Sequence, residues 1–280
     1  NRVNICVRPR ALLGWLRLIK QLKEIKLMFL PHSSSRGLIL SKLIGSSCVA
    51  DSSLRALWFF KPEHRVPQRI VSWRHTAEQY LDLARRVGLQ IDSQYQSIKL
   101  DGLLRNSLST LVKEQLPQRY IVIQPGSRWL FKSPAVTFWL EVIRLLEEKG
   151  FATVITGSDQ GDEGELLGIL SNDSAAVSLA GMTSISDLAH VIAEASFYLG
   201  VDTFASHLAS GTGTPGVVLF GPTSEEIWGP YGGSARTQVF VSSHSCRPCH
   251  ADGCGGGKRS ECLDRLDPSD VVTRLLDIPA

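Results

Sequence analysis

The sequence lacks most features that mark membrane, fibrous or nucleic-acid-binding proteins. No apolar run in its 280 residues reaches the roughly 18 residues that a membrane-spanning helix needs. Only 20% of the residues are charged, and 30 Lys and Arg against 27 Asp and Glu leave a net charge of +3. This excess is too small and too dispersed to indicate binding to a nucleic acid. With 43% hydrophobic residues, the composition is typical of a globular protein with one large domain or two of ordinary size.

Cysteine is also scarce, and its distribution does not fit a disulfide framework. Cys6 and Cys48 are isolated, and the other four are bunched near the end of the sequence, at Cys246, Cys249, Cys254 and Cys262. A secreted domain stapled by disulfides distributes its bridges more evenly, so we predict a reducing, cytoplasmic environment. The sequence begins at Asn1 without a secretory signal, and we expect this start to be internal to a longer protein.

From Tyr120 onward, short apolar runs alternate with longer amphipathic ones. This alternation predicts βαβ units and therefore an α/β fold with a parallel sheet. The predicted strands are residues 120–124, 152–156, 176–180, 197–201 and 216–220. Two intervening segments, residues 138–148 and 185–195, place apolar residues at helical spacing. We expect these helices to pack on the sheet.

The first part of the sequence resembles βα units without a clear beginning. We predict a basic helix over residues 12–26, a strand over 27–30, and helices over 37–43 and 76–87. A polar, weakly periodic stretch over residues 92–119 follows. We therefore predict two domains, residues 1–112 and 113–280.

The loop after the first strand of the second domain carries groups suited to a phosphate. Residues 124–132 include Gly126, Ser127, Arg128 and Lys132, at the edge of the sheet where parallel folds bind ligands. Glycine permits close approach of the backbone, hydroxyl and amide groups can bind phosphate oxygens, and Lys132 supplies a compact positive charge. We predict a diphosphate site, with a plain βα turn as the alternative.

Two further strands end in loops of similar character. Asp202 follows one strand, with Thr203, Ser206 and His207 at the start of the next helix, where amides and the helix dipole favour an anion. The alternative is that Asp202 caps its own helix and His207 is a core residue. The third loop, residues 220–231, offers three residues that could line a sugar pocket: Thr223, Glu225 and Trp228. Structural turn chemistry explains this loop nearly as well.

The clustered cysteines have a spacing of C-x2-C-x4-C-x7-C, with His250 inside the cluster. These ligand types suit a structural zinc ion. Spacing alone does not establish tetrahedral geometry, so we favour a reduced structural loop over zinc.

Six motifs, taken in order, resemble the heptosyltransferase family of lipopolysaccharide core assembly, which is glycosyltransferase family nine. They are PGSRWLFK, LAGMTSISDL, GVDTFASHLAS, GTP-x-V-x-LFGPT, WGPYG and CRPCHADGCGGGKRSECL. The cysteine-rich tail is most similar to that of the heptosyltransferase III branch. The resemblance implies a GT-B architecture of two Rossmann-like domains, of which the N-terminal one lacks its first strand and loop here. It also implies inverting transfer of heptose from ADP-heptose to a lipid A–core acceptor, without a cofactor or a nucleic-acid partner.

The resemblance also implies roles for individual residues. Ser127 and Lys132 would hold the donor diphosphate, Asp202 would contact the heptose, and Thr183, which opens its helix, would lie near the adenine and ribose. The full set of donor-binding residues is Ser127, Arg128, Lys132, Thr183, Asp202, Thr203, Ser206 and His207.

Two departures from the family pattern leave alternatives open. The family usually has Trp-Pro soon after the loop lysine, whereas Lys132 is followed by Ser133-Pro134, so we expect the next helix to start at a shifted position. The aspartate thought to act as catalytic base would lie upstream of Asn1. The alternatives are a nucleotide-sugar-binding fragment without turnover, or a transferase or epimerase for another nucleotide sugar. We expect a cytoplasmic protein whose basic helix over residues 12–26 could rest on the inner membrane.

Overall fold

The computed structural model describes residues 22, 25–30, 35–51, 64–66, 74–91, 100, 102–232 and 236–279. The chain divides into two compact units, residues 1–92 and 93–280. Within the described residues, no helix combines the length and the apolarity that crossing a bilayer would require.

The first unit contains a small parallel sheet in the order β1-β2-β3. Its strands are β1 (Leu27–Leu30), β2 (Ser47–Asp51) and β3 (His64–Val66), and its helices are α1 (Ser35–Ile44) and α2 (Thr76–Arg86). The predicted strand over residues 27–30 and both helices over 37–43 and 76–87 are confirmed. The predicted basic helix over residues 12–26 lies outside the described residues, except for Leu22, Ile25 and Lys26.

The second unit is built on a six-stranded parallel sheet in the order β6-β5-β4-β7-β8-β9. The strands are β4 (Tyr120–Gln124), β5 (Ala152–Ile155), β6 (Val177–Ser178), β7 (Phe197–Val201), β8 (Gly216–Phe220) and β9 (Thr237–Val241). The chain winds outward from β4 in one direction and from β7 in the other. The carboxyl ends of the adjacent strands β4 and β7 therefore mark the topological switch point, where open α/β sheets bind ligands.

Helices cover both faces of this sheet. They are α3 (Thr110–Lys113), α4 (Val136–Glu148), α5 (Gly161–Asp173), α6 (Ile185–Ala193), α7 (Phe204–Thr212), α8 (Glu225–Trp228), α9 (Glu261–Asp264) and α10 (Pro268–Leu276). Successive side chains of β4 point to opposite faces. Ile121 joins Trp139 and Leu275 in one apolar cluster, whereas Val122 joins Ile192 and others in the second. Burial on both faces explains why the central strands are continuous apolar runs.

The described residues that precede β4 pack against the helices and strands of the second unit. Leu100 and Val112 are buried in the cluster that contains Val122. The Ser109 amide donates to Asp187 Oδ1 at 2.9 Å, and Ser186 Oγ donates to the Leu103 carbonyl at 2.6 Å. These interactions attach the segment to α6 within the unit of residues 93–280. The expected domain boundary at 112/113 stays a prediction.

Candidate functional site

A cavity of about 440 Å³ opens at the carboxyl ends of β4, β5 and β7, at the switch point of the second sheet. Pockets that bind small molecules have volumes of about 300 to 1,000 Å³, so this cavity is of ligand size. Its wall is formed by Gln124, Ser127, Arg128, Trp129, Lys132, Gly157, Ser158, Glu163, Thr183, Leu188, Asp202, Thr203, Phe204 and Ala205.

An ion pair joins two loops of the cavity. Lys132, in a 3-10 turn over Leu130–Lys132, places Nζ 2.7 Å from Oδ2 of Asp202, directly after β7. The Asp202 side chain is 7% exposed and that of Lys132 is 19% exposed. Thr223, in the loop after β8, donates its Oγ1 hydrogen to the same oxygen at 2.8 Å. A single buried carboxylate oxygen therefore connects the loops of three adjacent strands.

The loop after β4 is folded by its own hydroxyl. Ser127 Oγ donates to the Trp129 carbonyl at 2.7 Å and accepts from the Trp129 amide at 3.0 Å. This turn directs the neighbouring Arg128 outward, with its guanidinium carbon 5.4 Å from the centre of the Trp129 ring. The loop thus presents two cations, Arg128 and Lys132, to one cavity.

Glu163 is a cavity residue that the sequence analysis missed. It lies in the first turn of α5, and its Oε1 accepts a hydrogen bond from Gln124 Nε2 at 3.0 Å. Thr156 orients Gln124 by donating to its Oε1 at 2.9 Å. Burial raises the pKa of the Glu163 carboxyl, while hydrogen bonds from the Ser158 backbone and the Gln124 side chain act in the opposite direction.

Two glycines leave the space that Glu163 occupies. A Cβ on Gly126 would lie 2.6 Å from Glu163 Cγ, and a Cβ on Gly157 would lie 2.7 Å from Glu163 Oε1. Gly157 also has a φ of +147°, a conformation that L side chains rarely adopt. A glycine two residues after the end of each of two neighbouring strands was the sequence signal for a side chain that enters between them.

The sequence profile of Glycosyltransferase family 9 (heptosyltransferase) matches residues 17–258. The chain belongs to this family. It is 29% identical over 170 residues to lipopolysaccharide heptosyltransferase 1 of Pseudomonas aeruginosa, across 56% of this chain and 47% of the relative. It is 30% identical over 117 residues to lipopolysaccharide heptosyltransferase 3 of Escherichia coli, across 41% and 34%. The chain thus matches less than half the length of these curated relatives.

Solved structures show the fold of the family. ADP-heptose lipopolysaccharide heptosyltransferase II of E. coli superposes with a TM-score of 0.72 at 18% identity, covering 95% of this chain and 79% of that chain. E. coli heptosyltransferase WaaC with ADP gives a TM-score of 0.66 at 18% identity, covering 94% and 78%. The α/β fold of the GT-B type, expected from the resemblance, is confirmed.

The family motifs bring six of the eight predicted donor-binding residues to one cavity wall: Ser127, Arg128, Lys132, Thr183, Asp202 and Thr203. Thr183 does not itself open α6, because the N-cap of this helix is Ser184. Ser184 forms a capping box with Asp187, with its Oγ accepting from the Asp187 amide at 3.1 Å. Thr183 is therefore a cavity residue in the loop before the helix.

Ser206 and His207 do not line the cavity. Ser206 is fully buried in the first turn of α7, and its Oγ donates to the Thr203 carbonyl at 2.7 Å. This bond turns the hydroxyl back onto its own helix. His207 is half-buried on the same turn. Thr203 remains at the wall, as an N-cap whose side chain makes no hydrogen bond to the helix amides.

The third family loop contributes to the site through only one of its three predicted residues. Thr223 contacts Asp202, and none of the three residues is itself part of the cavity wall. Glu225 instead pairs with Arg247, with 3.1 Å between its Oε2 and Arg247 Nη2. The assignment of these loop residues to a sugar pocket stays a prediction.

The cysteine-rich tail contains free thiols, three exposed (Cys246, Cys249 and Cys254) and one buried (Cys262). In the part of the chain that the structure describes, no group of three or more His, Cys, Asp or Glu side chains is arranged to hold a metal ion. Burial raises the pKa of the Cys262 thiol to about 11. The choice between a reduced structural loop and a zinc site stays a prediction.

Proposed function

We propose that this chain binds ADP-heptose in the cavity at the β4/β7 switch point and transfers the heptose, with inversion, to the inner core of lipopolysaccharide. Membership of glycosyltransferase family 9 supports the reaction class. The relatives in P. aeruginosa and E. coli are lipopolysaccharide heptosyltransferases, which supports the choice of sugar and acceptor. The observation that carries the proposal is the convergence of Lys132 and Asp202 on one cavity of ligand size.

Lys132 and the start of α7 are suited to a diphosphate. The side chain of Lys132 is only 19% exposed, so the attraction of its ammonium to a phosphate is less screened than at the surface. The N-cap Thr203 leaves the first amides of α7 without a side-chain partner, and helix N-termini attract anions. Arg128 adds a second cation at the rim. These groups would stabilise the charge that develops on the departing ADP.

Asp202 is suited to the sugar. Lys132 and Thr223 both contact its Oδ2 atom, and we assign Oδ1 to a hydroxyl of the heptose. A charged acceptor with a fixed orientation binds a hydroxyl more strongly than a neutral one. The ion pair would thus link the diphosphate and the heptose of one donor molecule.

Glu163 and Thr183 would hold the nucleoside. The Glu163 carboxylate is an acceptor in the cavity wall, and ribose offers two neighbouring hydroxyl donors. Thr183, from the loop before α6, lies on the same wall and is assigned to the adenine and ribose region. This arrangement would orient the donor along the sheet edge from α5 to α7.

Transfer requires attack by an acceptor hydroxyl on the anomeric carbon, with cleavage of the bond to the diphosphate. Lys132 would stabilise the leaving group, and a base must take the proton of the attacking hydroxyl. We assign this base to none of the described residues. We further propose that the protein works in the cytoplasm, with peripheral contact to the membrane that holds the lipid A–core acceptor.

A transfer assay tests the proposal directly. Full-length protein is incubated with ADP-heptose and truncated lipopolysaccharide cores, and the masses of the products are measured by mass spectrometry. We expect one acceptor to gain one heptose, with ADP released in equal amount. Transfer from a different nucleotide sugar in place of ADP-heptose would contradict the assigned donor. Donor binding without transfer to any core would instead support a binding protein without turnover.

A further inference from the structure

The cysteine-rich segment, defined here as residues 244–264, contacts the loop that carries Thr223. Arg247 has a side chain that is only 6% exposed. Its Nε donates to the Gly221 carbonyl at 2.6 Å, and its Nη2 lies 3.1 Å from Glu225 Oε2. One guanidinium therefore binds both ends of the short stretch that presents the Thr223 hydroxyl to Asp202.

Two further contacts from the same segment fix this loop. The His250 amide donates to the Pro222 carbonyl at 2.9 Å. Leu263 packs so closely on Gly221 that a Cβ there would lie 2.6 Å from Leu263 Cδ1. Backbone and side-chain groups of the segment thus hold the two residues that precede Thr223.

The segment also reaches the loop that carries Lys132. Ser260 is 1% exposed, and its Oγ donates to the Phe131 carbonyl at 2.7 Å. Phe131 is the residue directly before Lys132 in the 3-10 turn. Side-chain hydrogen bonds from Arg247 and Ser260 therefore end within two residues of Thr223 and Lys132 respectively. Thr223 and Lys132 are the two partners of the Asp202 carboxylate.

We propose that Arg247 and Ser260 are positioning residues for the donor site, and that the cysteine-rich segment serves to hold Thr223 and Lys132 against Asp202. The inference rests on the proposed function, because it assigns the geometry of Asp202 to binding of ADP-heptose. Arg247 acts through Thr223, and Ser260 acts through Lys132. Neither residue lines the cavity wall, so neither is assigned a contact with the donor.

The chain offers a matched control for Arg247. Arg259 lies in the same segment and pairs with Asp264 at 3.0 Å, but its side chain is 50% exposed. Exposed pairs contribute little to stability, and this one touches neither loop of the donor site. Arg259→Gln removes the same charge from the same segment without changing the support of Thr223.

The experiment measures binding of ADP-heptose by titration calorimetry for the wild type, Arg247→Gln, Arg247→Lys, Ser260→Ala and Arg259→Gln. We expect roughly tenfold weaker binding for Arg247→Gln, a smaller loss for Ser260→Ala and no change for Arg259→Gln. Arg247→Lys should regain part of the affinity, because it keeps a donor towards the Thr223 loop. Thermal unfolding of each variant confirms that the measured protein is folded.

A double-mutant cycle separates positioning from a general loss of structure. In a Thr223→Val background, Arg247→Gln should change the dissociation constant for ADP-heptose less than about twofold. Valine has no hydroxyl to donate to Asp202, so the contact that Arg247 positions is already absent. An undiminished tenfold effect in that background would overturn the inference. So would wild-type affinity in folded Arg247→Gln.

A measurement without donor keeps the inference distinct from the proposed function. Amide hydrogen exchange at residues 221–224 should become faster in Arg247→Gln, and exchange at residues 130–133 should become faster in Ser260→Ala. Unchanged exchange in both loops would overturn the positioning role. If the wild type fails to bind ADP-heptose while exchange responds as expected, the proposed function falls and the support of the two loops stands.

Discussion

Lys132 and Asp202 stand 70 residues apart in the sequence, yet Nζ of the one lies 2.7 Å from Oδ2 of the other. Their strands, β4 and β7, are neighbours in the sheet although two strands separate them along the chain. The ion pair therefore depends on the return of the chain from β6 to β7, which places β7 beside β4 at the switch point. A diphosphate that enters this cavity meets a cation held in place by a buried carboxylate.

The packing of β7 beneath the cavity depends on Gly200, the fourth residue of this strand. A Cβ there would overlap the Tyr198 hydroxyl and would lie 2.8 Å from Tyr198 Cζ and 3.0 Å from Gln124 Cβ. Because Tyr198 is fully buried, it has little room to move. We expect Gly200→Ala to lower the free energy of unfolding by about 1–3 kcal/mol in urea titrations.

Gly168→Ala is the matched control for that substitution. Gly168 lies inside α5, and a Cβ there would meet nothing within 4 Å. Replacing a helical glycine by alanine should raise the free energy of unfolding by about 0.5–1 kcal/mol. Equal stability of Gly200→Ala and the wild type would show that the Tyr198 ring is less confined than the structure indicates.

Glu163 gives the protein a pH dependence of defined sign. Its pKa is raised by burial above the ordinary value of 4.5, so the folded state holds the proton more tightly than the unfolded state. The contribution of this group is fully present below the ordinary value and is lost as the pH rises through the raised pKa. Relative to the wild type, Glu163→Gln should therefore become more stable as the pH rises from about 4 to 7.

Urea titrations across this pH range check the Glu163 prediction. Glu165→Gln is the control, since Glu165 lies exposed on the same helix. Its stability difference from the wild type should not follow the same course. A Glu163→Gln difference that stays constant or falls over the range would contradict the assigned burial of the carboxylate.

The tail thiols should differ in reactivity. Cys246, Cys249 and Cys254 are exposed, whereas Cys262 is 2% exposed with a pKa raised to about 11. Since the thiolate is the reactive form, we expect iodoacetamide at neutral pH to label the three exposed thiols first and Cys262 at least about tenfold more slowly. Peptide mass spectrometry over time measures each rate, and urea-unfolded protein should label all four alike. Equal native rates would contradict the buried position.

Sequence periodicity predicted the central strands best. Residues 120–124, 197–201 and 216–220 were predicted with the observed bounds of β4, β7 and β8, because strands buried on both faces are continuous apolar runs. The half-buried edge strand β9, the strand β2 and the three-residue strand β3 were missed. Their stability comes from pairing with a neighbour, which a local pattern does not contain.

Strand prediction also explains which residues of the candidate site were predicted from the sequence. Asp202 directly follows β7, and Lys132 lies in the loop that follows β4, so strand prediction placed both at the same edge of the sheet. Glu163 lies in a helix, and its place in the wall depends on space left by Gly126 and Gly157 on two other segments. Ser206 matched a motif, but helix geometry allows its hydroxyl to bond to the carbonyl three residues earlier.

The central claim is that Lys132 binds the diphosphate of a nucleotide sugar beside Asp202. Titration calorimetry of ADP-heptose into the wild type, Lys132→Ala and Lys149→Ala tests it most directly, since Lys149 is an exposed lysine of the same unit at the end of α4. We predict a loss of about 2 kcal/mol, or roughly 30-fold in affinity, for Lys132→Ala and none for Lys149→Ala. Wild-type affinity in Lys132→Ala would contradict the account.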